Sequence, residues 1–262
     1  MKLFFIIVVS FFSLCFTNYP DNNCVKGGFV STNYEVKQVE SDSPCAIKII
    51  NNSSLKYLPG VIRDLSIALK ESDLAIGGLL NRKGFVIYLN DVRHKGFEVS
   101  ASVSTRAESA SYHVLLNRYN KQASDKALAA TLIHEIMHCV LLDVYRNAIR
   151  QDSNALEIVK YLDSILKKRV LASNENFFFL MNSGEDGQHE LMYHLLYPAM
   201  VSLLTRFAKI HRPAFFHHRE PEILMWSGLQ KTGQYKKLSS EERKEIETAI
   251  LREKGLIFNQ GD

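Results

Sequence analysis

His134-Glu135-Ile136-Met137-His138 spells H-E-x-x-H inside a stretch with helical patterning. Positions i and i+4 of a helix stand one above the other, so both imidazoles can reach a single metal ion. Glu135 projects beside them, placed to take a proton from a metal-bound water as the general base of metal-assisted hydrolysis. The five letters are only moderately specific, because His and Glu also fall at this spacing by chance. The competing explanation is a pair of core histidines bonded to carbonyls, with Glu135 in an ion pair.

The surrounding residues bear on that choice. Ser124 or Asp125 can cap a helix start, and Leu128, Ala129, Leu132, Ile133, Ile136, Met137, Val140 and Leu141 supply a broad apolar surface to about Asp143. A helix this apolar is expected to be buried. An unpartnered polar group away from water costs about 1–3 kcal/mol, more when charged, and one cation would satisfy two histidines and a glutamate together.

Zinc that does catalysis usually has three protein ligands and an open position, and the motif supplies two. The metzincin continuation asks for Gly at 141 and His at 144, where this chain has Leu141 and Val144, which excludes that branch. A third ligand must therefore come from elsewhere, and Gly187-Gln188-His189-Glu190-Leu191-Met192-Tyr193-His194 is the best source. Three segments, Tyr112-His113-Val114-Leu115-Leu116-Asn117, Thr131 to His138, and Gln188-His189-Glu190-Leu191-Met192, carry a likeness to a known family. In them the chain resembles the SprT-like branch of the zincin metallopeptidases, in particular its exported bacterial members. Trp226-Ser227-Gly228-Leu229-Gln230-Lys231-Thr232 is similar to a C-terminal signature of such proteins.

The resemblance implies zinc as cofactor, held by His134, His138 and His189, since the family's third ligand is a histidine followed a few residues on by Met or Phe, here Met192. The chain departs from the family in the long interval between His138 and His189, which an inserted helical segment must bridge. Glu190 is the alternative ligand, in a gluzincin-like site, and His194 and Asp143 are two more. One helix cannot aim 189, 190 and 194 at the same ion, because neighbouring positions differ by about 100° around its axis. Glu185 and Asp186 can orient a ligating imidazole through its other nitrogen or simply favour a helix start. Tyr193 can donate to a developing oxyanion or pack as a core aromatic. His211, His217 and His218, beside Arg212, Arg219, Phe215 and Phe216, read as a solvated loop with a second metal site as the alternative.

Lys2 and the apolar run Leu3 to about Phe16, followed by polar residues, have the pattern of a signal peptide, too short for a comfortable transmembrane helix. The expectation is an exported protein, periplasmic or extracellular, with a leader over 1–17 and no transmembrane segment. A lipid anchor at Cys15 is the alternative, although Leu14 is large for that signal. The remainder, roughly 245 residues, can build one large core. A formal charge of +4 over 262 residues does not argue for nucleic acid. Cys24 and Cys45 are the plausible disulfide pair or, less simply, a thiolate latch on the metal, whereas Cys139 reads as a buried free thiol.

Strand-forming runs come first, at Ile47 to Ile50, Phe85 to Leu89 and Tyr112 to Leu116, with a helical pattern from Leu58 through Leu69. Helical texture follows: Ala155 to Lys168, a long helix from Gly187 or Gln188 to about Ile210 interrupted at Pro198, Glu222 to Leu229, and a last helix opened by the capping box Ser239-Ser240-Glu241-Glu242 and stopped at Gly255. The order implies an α+β, zincin-like fold class. A small mixed β-sheet is expected to pack on the motif helix, followed by a mostly helical C-terminal half. Residues 18–262 are expected to form a single domain: a loose N-terminal region (18–55), the sheet plus active-site helix (56–145), and a helical part supplying the third ligand (146–262). The expected function is zinc-dependent endopeptidase action on a protein or peptide substrate, with Tyr112 to Leu116 as an edge strand that pairs with it. A non-catalytic zinc-binding module and a protease acting on DNA-associated proteins are the rival readings.

Overall fold

The computed structural model describes residues 123–169, 176–211 and 219–255 throughout, the strands given below, and residues 61, 64, 65, 67 and 68. The leader 1–17, Cys15, Cys24, Cys45, Arg212, Phe215, Phe216, His217 and His218 lie outside the described residues. The chain divides into two compact units, Met1–Tyr119 and Asn120–Asp262.

In the first unit β1 (Val36–Lys37), β2 (Ile47–Ile50), β3 (Val86–Val92), β4 (Ala101–Thr105) and β5 (Ser111–Asn117) form one sheet in the order β1-β2-β3-β5-β4. β2, β3 and β5 run parallel, and β1 and β4 close the two sides antiparallel. Tyr112, Val114 and Leu116 alternate along β5 and are all buried, as the period-2 geometry of a strand requires for one face. Helical Val61, Leu65 and Ala68 are buried at spacings of four and three, one stripe of a helix. The expected edge strand at Tyr112 to Leu116 is corrected by the register. β5 is bonded to β3 on one side and to β4 on the other, so its backbone has no free side to pair with a substrate.

The second unit is helical: α1 (Asp125–Ile149), α2 (Ser153–Arg169), α3 (Phe177–Asn182), α4 (Gly184–Leu191), a π-helical turn (Met192–Leu196), α5 (Tyr197–His211), α6 (Glu220–Leu224), α7 (Gly233–Lys236) and α8 (Ser240–Glu253). The Ser124 side chain accepts from the Ala127 N–H to start α1. Both halves of the Ser239/Glu242 capping box are present at the start of α8. Pro198 cannot donate to the carbonyl four residues back, and it stands just beyond the π turn, where that pattern is already widened.

α1 is apolar nearly all the way round, from Ala127 and Leu128 to Val144 and Ala148, and its neighbours are α2, α3, α5, α6 and α8. By length and composition it could cross a membrane, yet 94% of its most apolar window is buried inside the protein. The expected α+β, zincin-like packing of a small mixed sheet on the motif helix is corrected here. Residues 123–255 contain no strand among those described, and helices enclose α1. The physical reason is in the sequence itself, since a helix without a polar face must be surrounded, and the segment after it folds into amphipathic α2 and α5 that supply the walls.

Candidate metal centre

His134 and His138 lie one turn apart on α1, with ring centroids 4.9 Å apart and nearly perpendicular planes. His189, from α4, comes up to both: its Nε2 is 3.2 Å from Nε2 of His134 and 3.2 Å from Nε2 of His138. A neutral imidazole can donate one hydrogen from Nε2, so it cannot satisfy two such contacts as ordinary hydrogen bonds. A cation can. Zinc–nitrogen bonds of about 2.0–2.1 Å at tetrahedral angles put ligand nitrogens about 3.3 Å apart, which two edges of this triangle match closely. The buried His134/His138/His189 group could hold a metal ion.

The electrostatics agree with that geometry. Burial, together with the other two histidines and Lys254, holds the His134 pKa well below the ordinary range. Burial and His189 bring His138 down to about 4. Burial also lowers His189. All three are therefore neutral at physiological pH, the state in which a histidine ligates. Gln188 fixes one tautomer: its Oε1 lies 2.7 Å from His138 Nδ1, which must donate, leaving the Nε2 lone pair facing the cluster. Nδ1 of His134 and of His189 are buried without a hydrogen-bond partner among the described residues.

Glu135 is 6% exposed and makes no hydrogen bond to a described residue. Burial, with a smaller contribution from Glu185, pushes its pKa up to about 8. Glu185 is itself exposed, and its Oε1 stands 3.8 Å from His189 Nε2. The expectation that it would orient a ligand through the other ring nitrogen is therefore not met, because it approaches the nitrogen that faces the cluster.

The segment 187–194 presents two sides. Gln188 and His189 face α1, while Glu190 turns away: its Oε1 accepts from the Gly233 N–H at 2.5 Å and its Oε2 is 3.6 Å from His194 Nε2. Glu190, His194 and Asp143 are thus outside the histidine cluster. Two glycines permit the close approaches. A Cβ on Gly187 would stand 2.0 Å from the Leu180 carbonyl oxygen, so only glycine lets α4 lie this close to α3. Gly228, at φ +88°, packs on the imidazole of His134, where a Cβ would meet Cε1 at 2.5 Å. The turn carrying Gly228 is anchored by Trp226, which stacks on Tyr193 at 5.2 Å and 21°. Tyr193 is thereby part of an aromatic cluster with Tyr197 and Trp226.

Of the other sequence candidates, Cys139 is a buried free thiol whose pKa burial raises. His211 bonds Asp125 at 2.8 Å and stacks on Phe207, fastening α5 to the start of α1. Gln188 and Gly228 were legible only as neighbours of a candidate ligand and as part of a turn signature. Their contacts with His138 and His134 cross about fifty and ninety residues of chain, which no local pattern encodes. No protein-family model, curated protein or solved structure matches the chain.

Proposed function

We propose that the chain is a zinc-dependent endopeptidase, acting in an exported location on protein or peptide substrates. The observation that carries the reading is the convergence of three buried histidine nitrogens, with the buried Glu135 next in sequence to one of them and making no hydrogen bond to a described residue. His134, His138 and His189 would hold the ion, three donors of the type and number of a catalytic rather than a closed structural site. When bound, zinc acidifies a water and polarises a carbonyl.

The chain's own residues do the rest. Gln188 keeps the proton of His138 on Nδ1. Gly228 and the Glu190–Gly233 bond hold the turn against His134. Glu135, whose burial keeps its affinity for a proton near neutrality, accepts one at its carboxylate and returns it to the leaving amine. A cation beside it would lower that affinity, so that the carboxylate is ready as a base.

The test is zinc quantification together with digestion of an unstructured protein such as casein. The expected result is one zinc per chain, with turnover lost in Glu135→Gln while zinc is retained. Activity persisting in that variant excludes Glu135 as the base, and zinc without activity in the wild type leaves a non-catalytic module.

A further inference from the structure

We propose that Glu185 is a fourth, displaceable metal ligand that closes the centre in the resting protein and swings out when substrate enters. The inference rests on the histidine centre proposed above and adds an oxygen donor to it.

Three observations place Glu185 at the rim of the cluster, although its carboxylate lies outside the group that the three imidazoles form. Its Oε1 is 3.8 Å from His189 Nε2, the nitrogen that faces the other two imidazoles. It is close enough to His138 and to Glu135 to act electrostatically on both. Its side chain is 75% exposed, so it approaches from solvent, the side from which a substrate must come. Adjacent ligand atoms of a tetrahedral zinc site lie about 3.3 Å apart, so Oε1 must close on His189 Nε2 by about half an ångström and also turn toward the nitrogens of His134 and His138. Rotation of an exposed glutamate about its side-chain bonds supplies that easily. The ordinary reading of an i, i+4 Glu–His pair is a surface contact, but the nitrogen that Glu185 approaches is the one turned toward the other two imidazoles.

The position in α4 explains why this carboxylate is displaceable. Glu185 sits in the first turn and makes no other ion pair or hydrogen bond to a described residue. Glu190, five residues on, accepts from the Gly233 N–H and cannot move without releasing that turn. One helix thus offers a fixed carboxylate that builds the site and a loose one that reaches it.

The experiment compares the full-length protein with Glu185→Gln, Glu185→Ala and Glu185→Asp, each loaded with Zn2+ or Co2+. The readouts are the zinc dissociation constant by chelator competition and the visible absorption of the Co2+ form. Ligation predicts that all three variants bind zinc at least about tenfold more weakly and share a Co2+ spectrum different from that of the wild type. Asp keeps the charge but is one methylene short, so it separates bonding from attraction through space. Wild-type affinity and spectrum in Glu185→Asp, or in all three, overturn the proposal. His134→Ala binding zinc as tightly as the wild type would instead overturn the histidine centre, an outcome separate from any Glu185 result.

Discussion

Two His-Glu pairs lie at the heart of this protein, His134-Glu135 on α1 and His189-Glu190 on α4, and they part company at the glutamate. In both, the histidine brings Nε2 to the same centre. Glu135 is buried without a hydrogen bond to a described residue, and its pKa rises to about 8. Glu190 is half-buried, with one oxygen 3.6 Å from His194 and the other accepting from the Gly233 N–H, and these two neighbours hold its pKa below the usual value. The same dipeptide thus leaves its carboxylate buried and unbonded in one place and ties it to a neighbouring turn in the other. The difference lies in what each helix faces: α1 is buried over most of its length among neighbouring helices, whereas α4 has a turn of backbone running past its outer face.

The sharpest way to break the comparison is to exchange the four residues in turn. His134→Ala and His189→Ala should each lower zinc affinity by about a thousandfold or more, read by metal analysis after dialysis, because two remaining imidazoles make a poor site. Glu135→Gln should retain zinc and lose about a hundredfold to ten-thousandfold in turnover, the range of general acid–base catalysis, while Glu190→Gln stays within severalfold of the wild type. Equal losses in the two glutamate variants would erase the distinction.

pH separates the pairs in the metal-free protein. The Glu135 pKa is raised, so the folded state holds a proton that the unfolded chain gives up above about 4.5. Its contribution is complete below that pH and is lost as pH climbs through about 8, a change on the order of a few kcal/mol. The histidines work oppositely, their lowered pKa values removing stability as pH falls from 6.5 toward the value of about 4 for His138. Denaturant unfolding of the metal-free protein across pH 4 to 9 should show both limbs, with the alkaline decline absent from Glu135→Gln.

Gly228→Ala tests the turn that Glu190 holds. The added methyl meets His134 Cε1 at 2.5 Å on a backbone with φ +88°, where an L side chain is itself strained by about 1–3 kcal/mol. Zinc affinity should drop by roughly tenfold to a hundredfold as the imidazole is pushed aside. Unchanged affinity would mean that the turn gives way instead of the ring.

What could be read from the sequence follows the same division. α1, its Ser124 cap and both motif histidines were legible because every signal is local: a cap, an apolar run and an i, i+4 spacing. The capping box of α8 and the stop at Gly255 were legible for the same reason. His189 was reached through a resemblance, and nothing in its own helix distinguishes it from Glu190 or His194. The choice between them is made by Gly187, which sets the depth of α4 against α3, and by Gly233, which offers Glu190 a donor. The misjudged sheet packing has a related cause: strand-forming runs before a motif helix fix neither their order in a sheet nor what covers the helix. β5 lies between β3 and β4, and its neighbours are set by pairings that cross the chain.

The smallest expected effect is the most discriminating for α4. Glu190→Gln keeps an acceptor oxygen for Gly233 N–H but removes the charge that strengthens the bond and attracts His194. Because the carboxylate is partly solvated, screening limits the loss to about 1 kcal/mol or less in thermal unfolding. The lowered pKa gives the sign: the wild-type advantage is present above about pH 4.5 and disappears as pH falls through the lower folded-state value. Zinc content should not change. A Glu190→Gln protein that unfolds like the wild type but loses its metal would make Glu190 the ligand and His189 its neighbour, reversing the roles that the 3.2 Å contacts assign.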